Sequence, residues 1–128
     1  MQAIDTNVVV RYLTGDDPDQ ATRARGIIDM EEVFVCTTVL LETAWVLRSV
    51  YGFAGEEVAV ALRAFSGLPS VAVEDPALLA VALDRAEKGM DFADALHLGA
   101  AAHCEMMFTF DRQFIETAKD APVRVAEP

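Results

Sequence analysis

Five acidic residues stand where chemistry on a phosphate is readily built. Asp5 closes the opening Gln2-Ala3-Ile4, and Glu42 follows Leu40-Leu41. Asp91 and Asp94 lie three apart in Asp91-Phe92-Ala93-Asp94, and Asp111 follows Phe108-Thr109-Phe110. Taken singly, each has a plain role: Asp5, Asp91 and Asp111 suit helix N-caps, Asp94 suits a helical first turn, and Glu42 suits pairing with Arg48 or exposure to water. Taken together they point elsewhere. Acids sharing one cleft repel each other and lose hydration, and a divalent cation relieves both costs. Carboxylate oxygens with room for water suit one or two Mg²⁺ or Mn²⁺ ions, and an ion so held activates water for phosphodiester hydrolysis. Asp5, Glu42, Asp91, Asp94 and Asp111 are therefore the candidate catalytic and metal-binding residues, expected to meet in one cleft. Thr6, Asn7 and Thr109 are candidates to orient them through hydrogen bonds. Arg11, one helical turn beyond Asn7, and Arg112, beside Asp111, are the candidate substrate-binding cations.

Other reactive side chains carry less. His97, three positions after Asp94, is expected in a core or interface, and His103 has no chemical context. Trp45 and Tyr12 are expected to pack, with a dimer surface as the other role for either. Cys36 and Cys104 lack the clustered partners of a zinc site and are read as buried thiols. No glycine–lysine phosphate loop is present, and a glycosidase pair does not account for so many acids. The two competing readings are a noncatalytic interaction domain of the same fold and a Mg²⁺-dependent phosphoacceptor domain, for which Lys88 and Lys119 lack a suitable setting.

The acids need elements to carry them. Gln2 to Asp5 reads as a short strand, then Thr6 or Asn7 as the cap of a helix packing through Val8, Val9, Tyr12 and Leu13. Asp17-Pro18 opens a helix to about Met30, and Asp75-Pro76 another to about Lys88. The β-rich run Val33 to Cys36 precedes Thr37 and Thr38, caps of a helix packing through Leu41, Trp45 and Val46. A helix from about Gly55 to Phe65 presents Val58, Leu62 and Phe65. Val71 to Val73 is a short strand, and Phe92 to His103 has the composition of an Ala-rich helix. Met106 to Thr109 reads as a strand, Asp111 to Ala118 as a short helix, and Val123 to Val125 as a last strand. Strands alternating with helices predict an α/β three-layer sandwich, one domain over residues 1–128, around a mostly parallel central sheet of four or five strands. Ligands of such sheets collect beyond the carboxyl ends of strands, where Asp5 and Asp111 fall.

Bulk composition narrows the classes further. Of 128 residues 53% are hydrophobic, which excludes disorder. Twenty-one acids against ten Lys and Arg give a formal charge of −11, so the average surface repels a nucleic-acid backbone. That argues against a simple DNA-binding module, but not against a nuclease whose metals neutralise its own acids. No apolar run reaches membrane-spanning length, and no basic stretch precedes an apolar one near Met1, so a cytoplasmic protein is expected.

The acids also lie in a recognisable order. Ile4-Asp5-Thr6-Asn7, Leu41-Glu42-Thr43-Ala44, Asp91-Phe92-Ala93-Asp94-Ala95-Leu96-His97-Leu98 and Thr109-Phe110-Asp111-Arg112-Gln113-Phe114 resemble the successive motifs of PIN-domain ribonucleases of the VapC toxin type, over essentially the whole chain. The resemblance implies a PIN-like sandwich, metal-dependent endoribonucleolytic cleavage of RNA, and a catalytic and metal-binding site drawn from Asp5, Glu42, Asp94 and Asp111, with Thr109 part of the site and Asp91 an auxiliary acid. It also implies a homodimer and a cognate VapB-type antitoxin whose tail fills the site. Phe110 stands where the family often has Asn.

Overall fold

The computed structural model describes residues 1–128. Its first half runs β1 (Gln2–Ala3), α1 (Thr6–Thr14), α2 (Pro18–Ile28), β2 (Val33–Val35), α3 (Thr37–Ser49) and α4 (Gly55–Ser66). The second half runs β3 (Val71–Val73), α5 (Pro76–Glu87), α6 (Phe92–Ala100), β4 (Met106–Phe108), α7 (Arg112–Thr117) and β5 (Arg124–Ala126). The expected α/β alternation is present throughout. All strand pairs are parallel, in a ladder ordered β1-β2-β3 and a separate pair β4-β5. Two residues of β1 offer too few alternating N–H and C=O groups to hold partners on both edges.

The Asp-Pro signals act as expected. Asp17 accepts the Gln20 N–H at 3.1 Å and Asp75 the Leu78 N–H at 3.0 Å, each ahead of a proline in the first turn. Other starts differ. Asp5, not Thr6 or Asn7, caps α1. Neither Thr37 nor Thr38 caps α3; its N-cap is Cys36, without a side-chain bond, and Glu74 takes the Thr37 N–H at 2.9 Å. The Ala-rich helix stops at Ala100, three residues short of His103. Ala101 caps it, its N–H shared between His97 and Gly99 carbonyls, and the chain turns toward β4. Helix propensity is a weak prior that this required turn overrides.

A cluster of 25 buried apolar residues fills the space between helices and strands, with Phe65, Ile28, Leu40, Leu47 and Leu62 the largest of its most completely buried side chains. Each such side chain contributes about 1.5–3 kcal/mol by leaving water. Tyr12 packs as expected, edge-on to Phe65 with ring centroids 5.8 Å apart. In α3 the buried stripe is Leu40, Thr43, Ala44 and Leu47, rotated from the expected Leu41, Trp45 and Val46. Trp45 is 64% exposed. Leu40 and Leu41 are equally apolar, so periodicity alone does not choose between the two faces. Helix α3 packs against α1, α4 and α6, and α5 against α4 and α6. Gly99 makes the last contact close, since a Cβ there would lie 2.4 Å from Leu78 Cδ1. That glycine sets α6 against α5 rather than against the sheet. No helix is long and apolar enough to cross a membrane.

Candidate active site

Three of the five acids do structural work at helix starts. Asp5 accepts the Thr6 N–H at 2.7 Å, Asp91 the Asp94 N–H at 3.2 Å, and Asp111 the N–H groups of Gln113 and Phe114 at 2.9 and 3.2 Å. Capping does not consume them, because a carboxylate has several lone pairs and each acid uses one oxygen. Capping also fixes the side chains at the ends of β1 and β4 and at the opening of α6. Thr109 Oγ1 accepts the Asp111 N–H at 3.0 Å, tightening the turn that presents Asp111. Thr6 is buried, and its hydroxyl donates to Glu42 Oε1 across 36 positions of sequence. Glu42 does not take Arg48 as a partner; it is exposed, as the alternative expectation had it, and one of its oxygens is tied to the residue after Asp5. Asn7 lies at the rim of the same cleft.

The acids occupy three linked clefts rather than one. Asp5, Thr6, Asn7 and Glu42 line the first; Glu42 and Asp91 line the second, between α3 and α6; Asp94, Thr109 and Asp111 line the third with His97. Glu42 joins the first two, and the first turn of α6 joins the second to the third. The Asp94 carboxyl is pushed above its ordinary value, first by partial burial, then by the negative charges of Asp91 and Asp111, with His97 opposing. Helix α6 and the β4–α7 turn therefore bring like charges into mutual range. His97 is exposed and faces this cleft, so its expected core role is not realised.

Arg11 is already engaged. Its Nε donates to Gln20 Oε1 at 2.8 Å, and Nη1 lies 3.2 Å from the Tyr51 hydroxyl and 3.3 Å from Asp16 Oδ1. Tyr51 in turn donates to Asp16 at 2.5 Å, holding that carboxyl below its ordinary value. Sequence gave no sign of this network, whose Tyr51–Asp16 bond spans 35 positions. Arg112 is exposed beside Asp111. Both cysteines are free, and Cys104 is exposed rather than buried.

A PIN-domain model matches residues 3–120, nearly the full chain. The chain belongs to the PIN-domain family. PIN domains are generally nucleases and typically use divalent metals, and the α/β architecture above is that of a PIN-like sandwich. No curated protein and no solved structure matches the chain.

The fit of a metal to this PIN domain can be judged from its own side chains. The donors are hard oxygens, and Asp94 carries the like-charge destabilisation that a cation relieves. Their kind suits a hard divalent cation. The shell is not assembled around one point: no three His, Cys, Asp or Glu side chains gather closely enough to hold an ion.

Proposed function

We propose that residues 1–128 form one PIN unit acting as a Mg²⁺- or Mn²⁺-dependent endoribonuclease, the toxin of a toxin–antitoxin pair. In this reading it works in the cytoplasm as a homodimer and is restrained by a VapB-type antitoxin. The observation that carries the catalytic part is the cleft that Asp94 and Asp111 line together with Thr109, where partial burial first, and then the charges of Asp91 and Asp111, push the Asp94 carboxyl above its ordinary value. A carboxyl perturbed by burial and by neighbouring like charges at a cleft marks a candidate functional site.

Asp94 and Asp111 would hold the ion together with Asp5 and Glu42, and Asp91 would add negative potential at the rim. One or two such ions supply Lewis acidity and a more acidic water. The chain's own residues do the positioning. The Thr6 hydroxyl holds Glu42, Thr109 shapes the turn carrying Asp111, and caps hold Asp5, Asp91 and Asp111 at helix starts. Asn7, which lines the first cleft, and exposed Arg112 would meet the strand, whereas Arg11 supports the cleft wall through Asp16 and Tyr51.

Cleavage of a structured RNA panel with and without Mg²⁺ or Mn²⁺ tests the reading. Wild type should cut only with metal, and Asp94→Asn should lose at least about a hundredfold while keeping its circular dichroism. Full activity in Asp94→Asn removes the assigned site. The absence of an assembled three-acid group favours a second reading, a noncatalytic PIN domain. That reading predicts no metal-dependent turnover by wild type on any RNA.

A further inference from the structure

The cleft between α3 and α6 has a chemistry that the acids alone do not explain. Glu42, Trp45 and Arg48 follow one another at three-residue spacing, placing them along one side of α3 over about 9 Å of helix axis. All three line the cleft, with Thr38 and Asp91 beside them and buried Phe92 behind. Trp45 presents 64% of its surface to solvent, a large apolar area left uncovered on a helix whose other face is fully packed.

Arg48 is the second unusual feature. It shares the cleft with two acids yet takes part in none of the five ion pairs. Its guanidinium instead lies over Gly55, where an added Cβ would come within 2.9 Å of Nη1. The cleft therefore runs from an acidic end at Glu42 and Asp91, past an exposed indole, to a cation without an acid partner.

We infer that this cleft is a nucleotide subsite of the RNA strand, in which Trp45 stacks on an unpaired base and Arg48 takes the adjoining phosphate. The inference rests on the ribonuclease reading above. It deepens that reading by naming the side chains that hold one nucleotide, which must be unpaired there, since a base within a duplex has no free face for the indole. The chemistry matches at each point: an aromatic face accepts any base, and a guanidinium binds phosphate. The length of the stripe is of the order of one nucleotide step. With a charge of −11 working against backbone attraction elsewhere, stacking and a local cation are the means by which this chain holds RNA.

Trp45 is the chain's single tryptophan, so its emission reports on this cleft directly. The full chain is titrated with a short single-stranded RNA in EDTA, so that no strand is cut. Excitation is at the red edge, where Tyr12 and Tyr51 do not absorb, and anisotropy of a labelled strand is followed in parallel. Emission should be quenched saturably, with the midpoint matching the anisotropy curve. A strand of abasic sugars should quench little. Trp45→Ala should weaken binding about tenfold to a hundredfold, while Trp45→Phe should keep most of it. Arg48→Gln should lower the salt dependence of log K by about 0.7, the loss of one phosphate contact. Because both side chains are exposed, thermal melts of the variants should stay close to wild type.

Strand binding that leaves Trp45 emission unchanged, with Arg48→Gln binding as wild type, overturns the subsite while leaving the ribonuclease reading intact. Emission that changes with protein concentration and not with RNA overturns it too, assigning the cleft to a second copy of the chain. Failure of wild type to bind RNA here and to cut it with metal removes the parent reading, and the subsite with it.

Discussion

Asp111 has two separable roles, and a pair of substitutions divides them. Its Oδ1 accepts the N–H groups of Gln113 and Phe114, starting the six-residue helix α7 that buries Phe114. Asn keeps that oxygen and removes the charge; Ala removes both. Losing an N-cap costs about 1 kcal/mol, whereas Asp and Asn cap almost equally well. At about 2.1 cal/mol/K of unfolding entropy per residue, a chain of 128 residues has about 0.27 kcal/mol/K, so 1 kcal/mol is about 4 °C. Asp111→Ala should therefore melt about 4 °C low, and Asp111→Asn within about 2 °C of wild type. Saturating Mn²⁺ adds a second axis. At a hundred times its Kd a cation stabilises by about 2.7 kcal/mol, or about 10 °C here. Both variants should lose more than half of that metal-induced rise and most RNA cleavage, because both lack the charge. Differential scanning fluorimetry with and without Mn²⁺, beside a cleavage assay, reads all of this. If Asp111→Asn keeps the full metal shift and full cleavage while Asp111→Ala melts low, Asp111 is a cap alone and the assignment fails.

Other perturbations follow the same logic. The raised carboxyl of Asp94 means the folded state resists its ionisation, so stability is fully present below the ordinary value of 3.8 and falls as pH rises through the raised value. Metal-free Asp94→Asn should gain on wild type across that rise, and equal denaturation midpoints at every pH would contradict the upward shift that burial and the neighbouring acids produce. Asp16 has the opposite sign: its depressed carboxyl contributes above its unfolded value and loses that contribution as pH falls through the folded one. Tyr51→Phe, which removes the main cause, should destabilise at neutral pH and match wild type in acid; a constant offset in urea melts would refute this. Thr6→Val removes the hydroxyl that holds Glu42, costing about 1 kcal/mol in urea denaturation and lowering cleavage with metal present. Wild-type cleavage by that variant would show that Glu42 needs no positioning.

The order of elements was legible because local signals carried it. Asp17-Pro18 and Asp75-Pro76 opened helices where their cap chemistry said they would, and the β-rich run at Val33 became a strand. Even the short stretch from Val71 to Val73 paired, against β2. The acids were legible by type and spacing, since an acid at the end of a strand or the start of a helix is visible in one dimension. Where local signals tied, the expectation slipped. Leu40 and Leu41 offered two packing faces for α3, and the choice between them decided whether Trp45 was core or surface.

Sequence alone determined the inventory: an α/β chain, four acids at or near element ends with Glu42 inside a helix, and a strongly negative net charge. These follow from propensity, caps and composition, which act over a few residues. Tertiary structure decided who meets whom. It tied Thr6 to Glu42, brought Asp111 within electrostatic range of Asp94, engaged Arg11 with Asp16 and Tyr51, and left Arg48 beside an exposed Trp45. Such contacts join residues up to 40 positions apart, and they depend on how helices seat against one another. Packing of that kind minimises voids and unpaired polar groups over the whole molecule at once, so no local window contains it.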